Sequence, residues 1–236
     1  MLTWDALPGL FPTLDNPARW LSLLQAHARV LQEHAGPVRT TAVDDDEAVF
    51  RHYAESLELL RVVDARRPPG AIVDVGPGGG FPGLVFAALL PDTPVTLVEP
   101  LKKRARLLEV AAERMALTNV VAVALRAEEA GRTDLREAAA LVTARAVAPL
   151  AELIEYCAPL AAPGALIALP KGTGLQAEIH AASRALEVLT CVVEAVLPMR
   201  AEVSATPHVL LIRKGGVVPR QYPRRPGAPR KRPIGT

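Results

Sequence analysis

Cysteine is almost missing from this 236-residue chain: Cys157 and Cys191 are the two present, far apart and outside any C-x-x-C pair. That excludes a disulfide framework, offers nothing to zinc, and leaves buried free thiols as the expectation. The N-terminus, Met1-Leu-Thr-Trp-Asp-Ala-Leu-Pro, lacks the basic segment and apolar run of a signal peptide. No apolar run reaches membrane-spanning length, since the most apolar stretch, 139–169, is interrupted by Arg145, Glu152, Glu155 and several prolines. A cytoplasmic protein without membrane association is therefore expected. Acids are missing from one end: residues 215–236 carry Arg220, Arg224, Arg225, Arg230, Lys231 and Arg232 and no Asp or Glu, which leaves the rest of the chain at −4 against a net +2. The five prolines of that tail, from Pro219 to Pro233, argue against a helix or central strand, and its cations are expected to be free to pair with phosphates. A solubilising terminus, or a segment folded back on the rest of the chain, are the alternatives.

Half of the composition is apolar, enough for one α/β core plus a small accessory element. From Asn16 to Glu33 apolar residues recur at helical spacing at Trp20, Leu23, Leu24, His27, Val30 and Leu31, and Gly36-Pro37 stops the run. Asp44-Asp45-Asp46-Glu47 suits a helix start rather than a calcium loop, and a second helix is expected through Phe50, Tyr53, Leu57 and Leu60. Trp4, Phe11 and Trp20 are expected to pack these helices onto the remainder.

Beyond Arg66-Arg67-Pro68-Pro69-Gly70 short apolar runs alternate with helical stretches, the pattern of a mostly parallel sheet. Expected strands are 71–76, 95–99, 120–125, 139–145, 165–171, 192–197 and 208–213, with helices near 82–90, 102–117, 147–160 and 175–189. The link between the last two strands is short, so they are expected to form an antiparallel hairpin. The chain divides into a helical element (1–69), a doubly wound α/β domain (70–214) and the basic tail (215–236).

The first of these strands runs through Asp74-Val75-Gly76 into Pro77-Gly78-Gly79-Gly80-Phe81-Pro82-Gly83. Glycines let a backbone approach a ligand closely, and a loop of this kind before a helix suits a nucleotide cofactor. The second strand ends in Glu99, about twenty residues on, where a carboxylate can bond both hydroxyls of a ribose. Arg126-Ala127-Glu128-Glu129 follows the third strand, where an adenine would rest. A dinucleotide site stays arithmetically open, but Asp74 before the loop suits a cationic ligand such as the methionine end of S-adenosylmethionine better than a pyrophosphate.

Asp74-Val-Gly-Pro-Gly-Gly-Gly-Phe-Pro-Gly83, Val95-Thr-Leu-Val-Glu-Pro-Leu-Lys-Lys-Arg104, Arg126-Ala-Glu128 and Thr143-Ala-Arg-Ala-Val-Ala148 together resemble the bacterial 16S ribosomal RNA guanine-N7 methyltransferases of the GidB type. Arg51-His52 with Ser56-Leu57, Pro170-Lys171-Gly172 and the Tyr222–Pro233 segment extend the resemblance over almost the whole chain. It implies a class I, Rossmann-like S-adenosylmethionine-dependent methyltransferase acting on the guanine numbered 527 in small-subunit RNA. Cofactor contacts are implied at Gly76 and Phe81, with Gly78 in the same loop, at Ala127 and Glu128, and at Arg145, with Glu99 on the ribose. Pro77 and Gly79 stand where small residues such as Ser or Ala are usual, and Glu99-Pro100 where Asp-Ser is common.

Neither an Asn-Pro-Pro-Tyr run nor a nucleophilic cysteine is present. Guanine N7 has a free lone pair and no proton, so in-line attack on a sulfonium methyl needs no general base, and catalysis would rest on alignment and desolvation. Arg145 and Lys171 are the expected catalytic residues, touching phosphate, O6 or the cofactor carboxylate. Arg51, His52, Lys171, Arg224 and Arg225 are the expected RNA-binding residues, with 16S RNA or a small-subunit precursor as partner, the Lys102-Lys103-Arg104 cluster as a solvated helix face, and the monomer as acting unit.

Overall fold

The computed structural model describes residues 3–34 and 49–235. The expected helix stop at Gly36-Pro37 and the acidic run at Asp44–Glu47 lie outside them. Seven strands, β1 (Ile72–Val75), β2 (Val95–Val98), β3 (Val120–Val123), β4 (Ala139–Ala144), β5 (Ala161–Lys171), β6 (Cys191–Pro198) and β7 (His208–Lys214), form one sheet in the order β3-β2-β1-β4-β5-β7-β6. The pairs from β3 to β5 are parallel, whereas β7 runs antiparallel to both β5 and β6, so the expected hairpin is present with β7 inserted between its neighbours.

Helices run in chain order as α1 (Leu7–Leu10), α2 (Pro17–Glu33), α3 (Glu55–Val63), α4 (Gly83–Leu89), α5 (Lys102–Arg114), α6 (Ala127–Ala130), α7 (Leu150–Cys157), α8 (Leu175–Ala181), α9 (Ser183–Val188) and α10 (Ala228–Lys231). A single π-helical turn, Val49–Ala54, precedes α3. One helix is expected over 175–189, but Ala182 closes α8 and opens α9. The helix expected from residue 147 begins at Leu150 because Pro149 takes extended angles (φ −57°, ψ 153°) and has no N–H to continue a helix backwards. Residues 145–149 are thereby released as a loop at the carboxyl end of β4.

Strand alternation sends side chains to two cores. Val73, Val75, Val142 and Ala144 join α6, α7, α8 and α9 on one face. On the other, Ile72, Leu97 and Leu141 meet α2, α3, α4 and α5. Trp20, Leu24, His27 and Val30 form the buried stripe of α2, as the spacing predicts, and Phe11 is buried with them while Trp4 packs at the edge. A fully buried carboxylate, Glu58, ties α3 to the β6–β7 link through bonds from Arg200, and is also held by a two-bond pair with Arg61 on its own helix. Among the described residues no helix is long and apolar enough to cross a membrane, and no cluster of His, Cys, Asp or Glu could hold a metal.

Candidate active site

The glycine-rich loop is gripped from beneath and from the side. The Gly83 N–H at the start of α4 donates to Asp74 Oδ2 at 2.7 Å. A Cβ on Gly83 would fall inside the envelope of Leu97 and 2.8 Å from that carboxyl oxygen, so glycine is required by close approach. Asp74 does not reach the cleft described below: alternation along β1 turns it with Ile72 to the opposite face from Val73 and Val75. Its Oδ1 is buried without a hydrogen bond, and burial pushes its carboxyl up to about 8. Burial thus disfavours the charged form of the carboxyl expected to face the methionine end.

From the side the loop is held by His27, a residue whose spacing marks it only as part of a helix stripe. His27 is fully buried and its Nε2 lies 2.8 Å from the Gly79 carbonyl, while the Tyr53 hydroxyl lies 3.2 Å from Nδ1. A carbonyl only accepts, so Nε2 carries the proton; burial drops the imidazole pKa to about 4, so Nδ1 accepts from Tyr53. Phe81 closes this cluster, its ring 5.1 Å from His27, 4.9 Å from Tyr53 and stacked 4.7 Å from His52. Its side chain is 3 % exposed and packs against aromatics, and it is not among the residues that line the cleft described below. Gly78 also stands outside the cleft lining.

At the carboxyl ends of the parallel strands lies a cleft of about 610 Å³, lined among others by Gly76, Glu99, Leu101, Arg104, Ala127, Glu128, Val147, Tyr156 and Arg230. Four of the expected cofactor residues, Gly76, Glu99, Ala127 and Glu128, thus meet in one cavity of cofactor size. Glu99 is 2 % exposed and its Oε1 accepts the Leu101 N–H at 3.0 Å, which fixes the carboxylate at the cleft wall. A buried carboxylate at a strand end, with Ala127 and Glu128 on the same cleft, fits an adenosine, so the residues present suit the expected cofactor. Arg104, expected on a solvated face, lines this cleft instead.

Arg145 is absent from the cleft lining and faces a second cavity of about 300 Å³, with Ala144, Ala146, Ala148, Leu153, Pro170, Lys171, Gly172, Ala205, Thr206 and Pro207. The two cavities share Ala146 and Ala148, so the β4–α7 loop is their common wall. Ala146 holds φ +54°, a left-handed conformation costly for a residue with a Cβ, at that wall. Arg145 Nη1 donates to the Arg51 carbonyl (2.9 Å) and Nη2 to His52 Nδ1 (2.7 Å), with the guanidinium 5.3 Å above the Phe81 ring. Burial and the neighbouring Arg145 cation hold His52 down at about 3, so it is neutral, with its Nε2–H buried and unpartnered. Arg51, His52, Phe81 and Arg145, separate in the chain, are therefore one assembly. Lys171 is 8 % exposed and its Nζ donates to Glu178 Oε2 at 2.7 Å, so its cation faces a carboxylate.

The basic tail departs most from expectation. Arg224 donates from its backbone N, Nε and Nη2 to Glu155, whose side chain is fully buried. Arg132 and Arg136 reach the carbonyls of Pro223, Tyr222 and Val218, and the Gly227 N–H donates to Glu128 Oε1 at 2.8 Å. Pro229 and Ile234 are buried, and Pro229 stands in the first turn of α10, where its missing N–H costs nothing. The tail packs on the domain and carries a helical turn; Arg224 is a buried-carboxylate partner rather than a free phosphate ligand. Arg225 remains exposed.

This strand order, the glycine loop after β1 and the carboxylate after β2 define the class as the S-adenosylmethionine-dependent methyltransferases of class I. A crystal structure of a methyltransferase from Geobacter sulfurreducens has the same fold (TM-score 0.52, 14 % identity, 82 % of this chain and 90 % of that one). The sequence model of the rRNA small subunit methyltransferase G (GidB) family matches residues 21–206. Proteins of that name from Clostridium novyi (33 % identical over 208 residues, 87 % of this chain and 85 % of the relative) and Bacillus velezensis (34 % over 219 residues, 92 % and 91 %) are similar along nearly their full lengths. The chain belongs to the rRNA small subunit methyltransferase G family.

Proposed function

We propose that this protein transfers a methyl group from S-adenosylmethionine to N7 of a guanine in small-subunit ribosomal RNA, in the bacterial cytoplasm and as a monomer. The observation that supports this reading best is the pair of cavities sharing one wall, a donor-sized cleft with Glu99 beside a smaller cavity that carries Arg145. S-adenosylmethionine bound in the first would supply an electrophilic methyl on a cationic sulfur. Glu99 would bind the ribose, Ala127 and Glu128 the adenine edge, and Gly76 the chain leading toward the shared wall. The second cavity would seat the acceptor base, with Ala146 and Ala148 between base and donor.

N7 attack requires no proton removal, and no carboxylate is among the residues that line the second cavity, whose Lys171 is paired with Glu178. Positive charge moves onto the purine as the methyl arrives, so a cation against the ring would oppose the step. Arg145 is held off by two neutral acceptors, the Arg51 carbonyl and His52 Nδ1, which orients its guanidinium edge for a phosphate or the base O6. Labelled S-adenosylmethionine incubated with undermethylated small subunits, with naked 16S RNA in parallel, followed by mapping of the modified base, tests the reading. Methyl incorporation at one guanine N7 is expected; incorporation at another atom, or none in either substrate, overturns it.

A further inference from the structure

The cofactor cleft contains one cation contributed by the tail. Arg230 lines it although every other lining residue lies between Val75 and Tyr156. Its guanidinium forms no hydrogen bond or ion pair among the described residues. The segment that delivers it is firmly held: Arg224 is clamped on buried Glu155, and the Gly227 N–H is bonded to Glu128, three residues before Arg230. That second bond ties the segment carrying Arg230 to Glu128, in the part of the cleft lining assigned above to the adenine. Pro229, next to Arg230, is buried and stiffens the approach.

We propose that Arg230 is a cofactor-binding residue, closing the adenine end of the cleft from the tail and laying its planar guanidinium on the adenosyl group. The inference rests on the cofactor occupying this cleft as proposed. Two considerations select the adenosyl group over the rest of the ligand. A guanidinium is planar and weakly hydrated and stacks well on a heteroaromatic face. Close to a sulfonium the same cation would be repelled, so a site evolved for S-adenosylmethionine gains from it only at a distance from sulfur. The tail then acts as a wall of the donor site.

Calorimetric titration of the full-length protein with S-adenosylmethionine and with S-adenosylhomocysteine tests this. Because both share the adenosyl group, Arg230→Ala is expected to weaken both alike, by about 3- to 10-fold. Arg220→Ala, an exposed cation of the same tail that lines no part of the cleft, should bind both as the unmodified protein does. Filter binding to small-subunit RNA is run alongside. Unchanged affinity for both ligands, a loss confined to one of them, or a loss of RNA retention with cofactor affinity intact overturns the proposal. If the unmodified protein bound neither ligand, the cofactor assignment itself would fall, a result distinct from a silent Arg230 variant.

Discussion

Replacing His27 by leucine keeps most of the volume in a fully buried site and removes both hydrogen bonds. The Gly79 carbonyl and the Tyr53 hydroxyl would each lose a buried partner, at about 1–3 kcal/mol apiece. We expect His27→Leu to lower unfolding free energy by about 2–4 kcal/mol at pH 7.5. The pH dependence carries the sharper test. The folded protein keeps His27 neutral down to about 4, whereas an unperturbed imidazole titrates near 6.5. Between those values the unfolded chain binds the proton in preference, so acidification through this window destabilises the wild type. The full span is worth about 3 kcal/mol, of which about 2 kcal/mol is lost by pH 5. The leucine variant lacks that component. Its stability deficit should therefore shrink by about 2 kcal/mol between pH 7.5 and pH 5, while carboxylate effects common to both proteins cancel. Urea denaturation followed by the fluorescence of Trp20, buried on the same helix, reads both quantities. A deficit that stays constant or widens on acidification would show that His27 is not the buried neutral clamp of the loop.

Removing the Arg224 side chain leaves Glu155 buried without its cation, and Arg224→Ala should cost about 3–5 kcal/mol in chemical denaturation, with Glu155→Gln in the same chain recovering part of it. Glu99→Ala removes the carboxylate at the cleft wall and should weaken cofactor binding in calorimetry by about 10- to 100-fold, while losing the Leu101 N–H bond lowers unfolding free energy by only about 1 kcal/mol. Arg145→Lys keeps the charge but cannot span both the Arg51 carbonyl and His52 Nδ1, so methyl transfer to small-subunit RNA should fall at least about tenfold while cofactor affinity holds.

The sheet was readable because a parallel sheet buried on both faces writes itself as short continuous apolar runs, and the Ile72–Val75 and Ala139–Ala144 strands are buried throughout. Cleft residues that sit at strand ends, Gly76, Glu99, Ala127 and Glu128, were equally readable, since their place follows from the order of elements. Pairings across long stretches of chain left no such trace. His27 meets Gly79 across 52 positions and Arg224 meets Glu155 across 69, and neither residue type announces a distant partner. Asp74 was less readable for a local reason: residue type suggests a ligand, but the alternation of β1 decides which face it occupies, and there its Oδ2 takes the Gly83 N–H. Composition likewise suggested a loose tail, because proline count and charge say nothing of a buried glutamate waiting elsewhere.

Both ends of the chain thus converge on the proposed donor site. The N-terminal element reaches the loop through His27 and holds Arg145 through Arg51 and His52, so helix α2 and the π-helical turn Val49–Ala54 would set the proposed acceptor side. The tail reaches the other wall through Glu128 and Arg230. A reaction with no proton to remove gains little from a general base, and its barrier depends on how well sulfur, methyl and N7 are aligned. Alignment in turn depends on the rigidity of the shared wall at Ala146 and Ala148. That wall is a loop, released because Pro149 starts α7 late, and a loop is rigid only as far as its neighbours fix it. Arg145, next to Ala146 and bonded to two groups of the N-terminal element, supplies that restraint on one side, while Leu150 at the start of α7 is anchored by Glu178, the partner of Lys171. On this reading Lys171 serves the reaction by positioning: its ion pair holds Glu178 on the Leu150 N–H, and with it the far end of the wall.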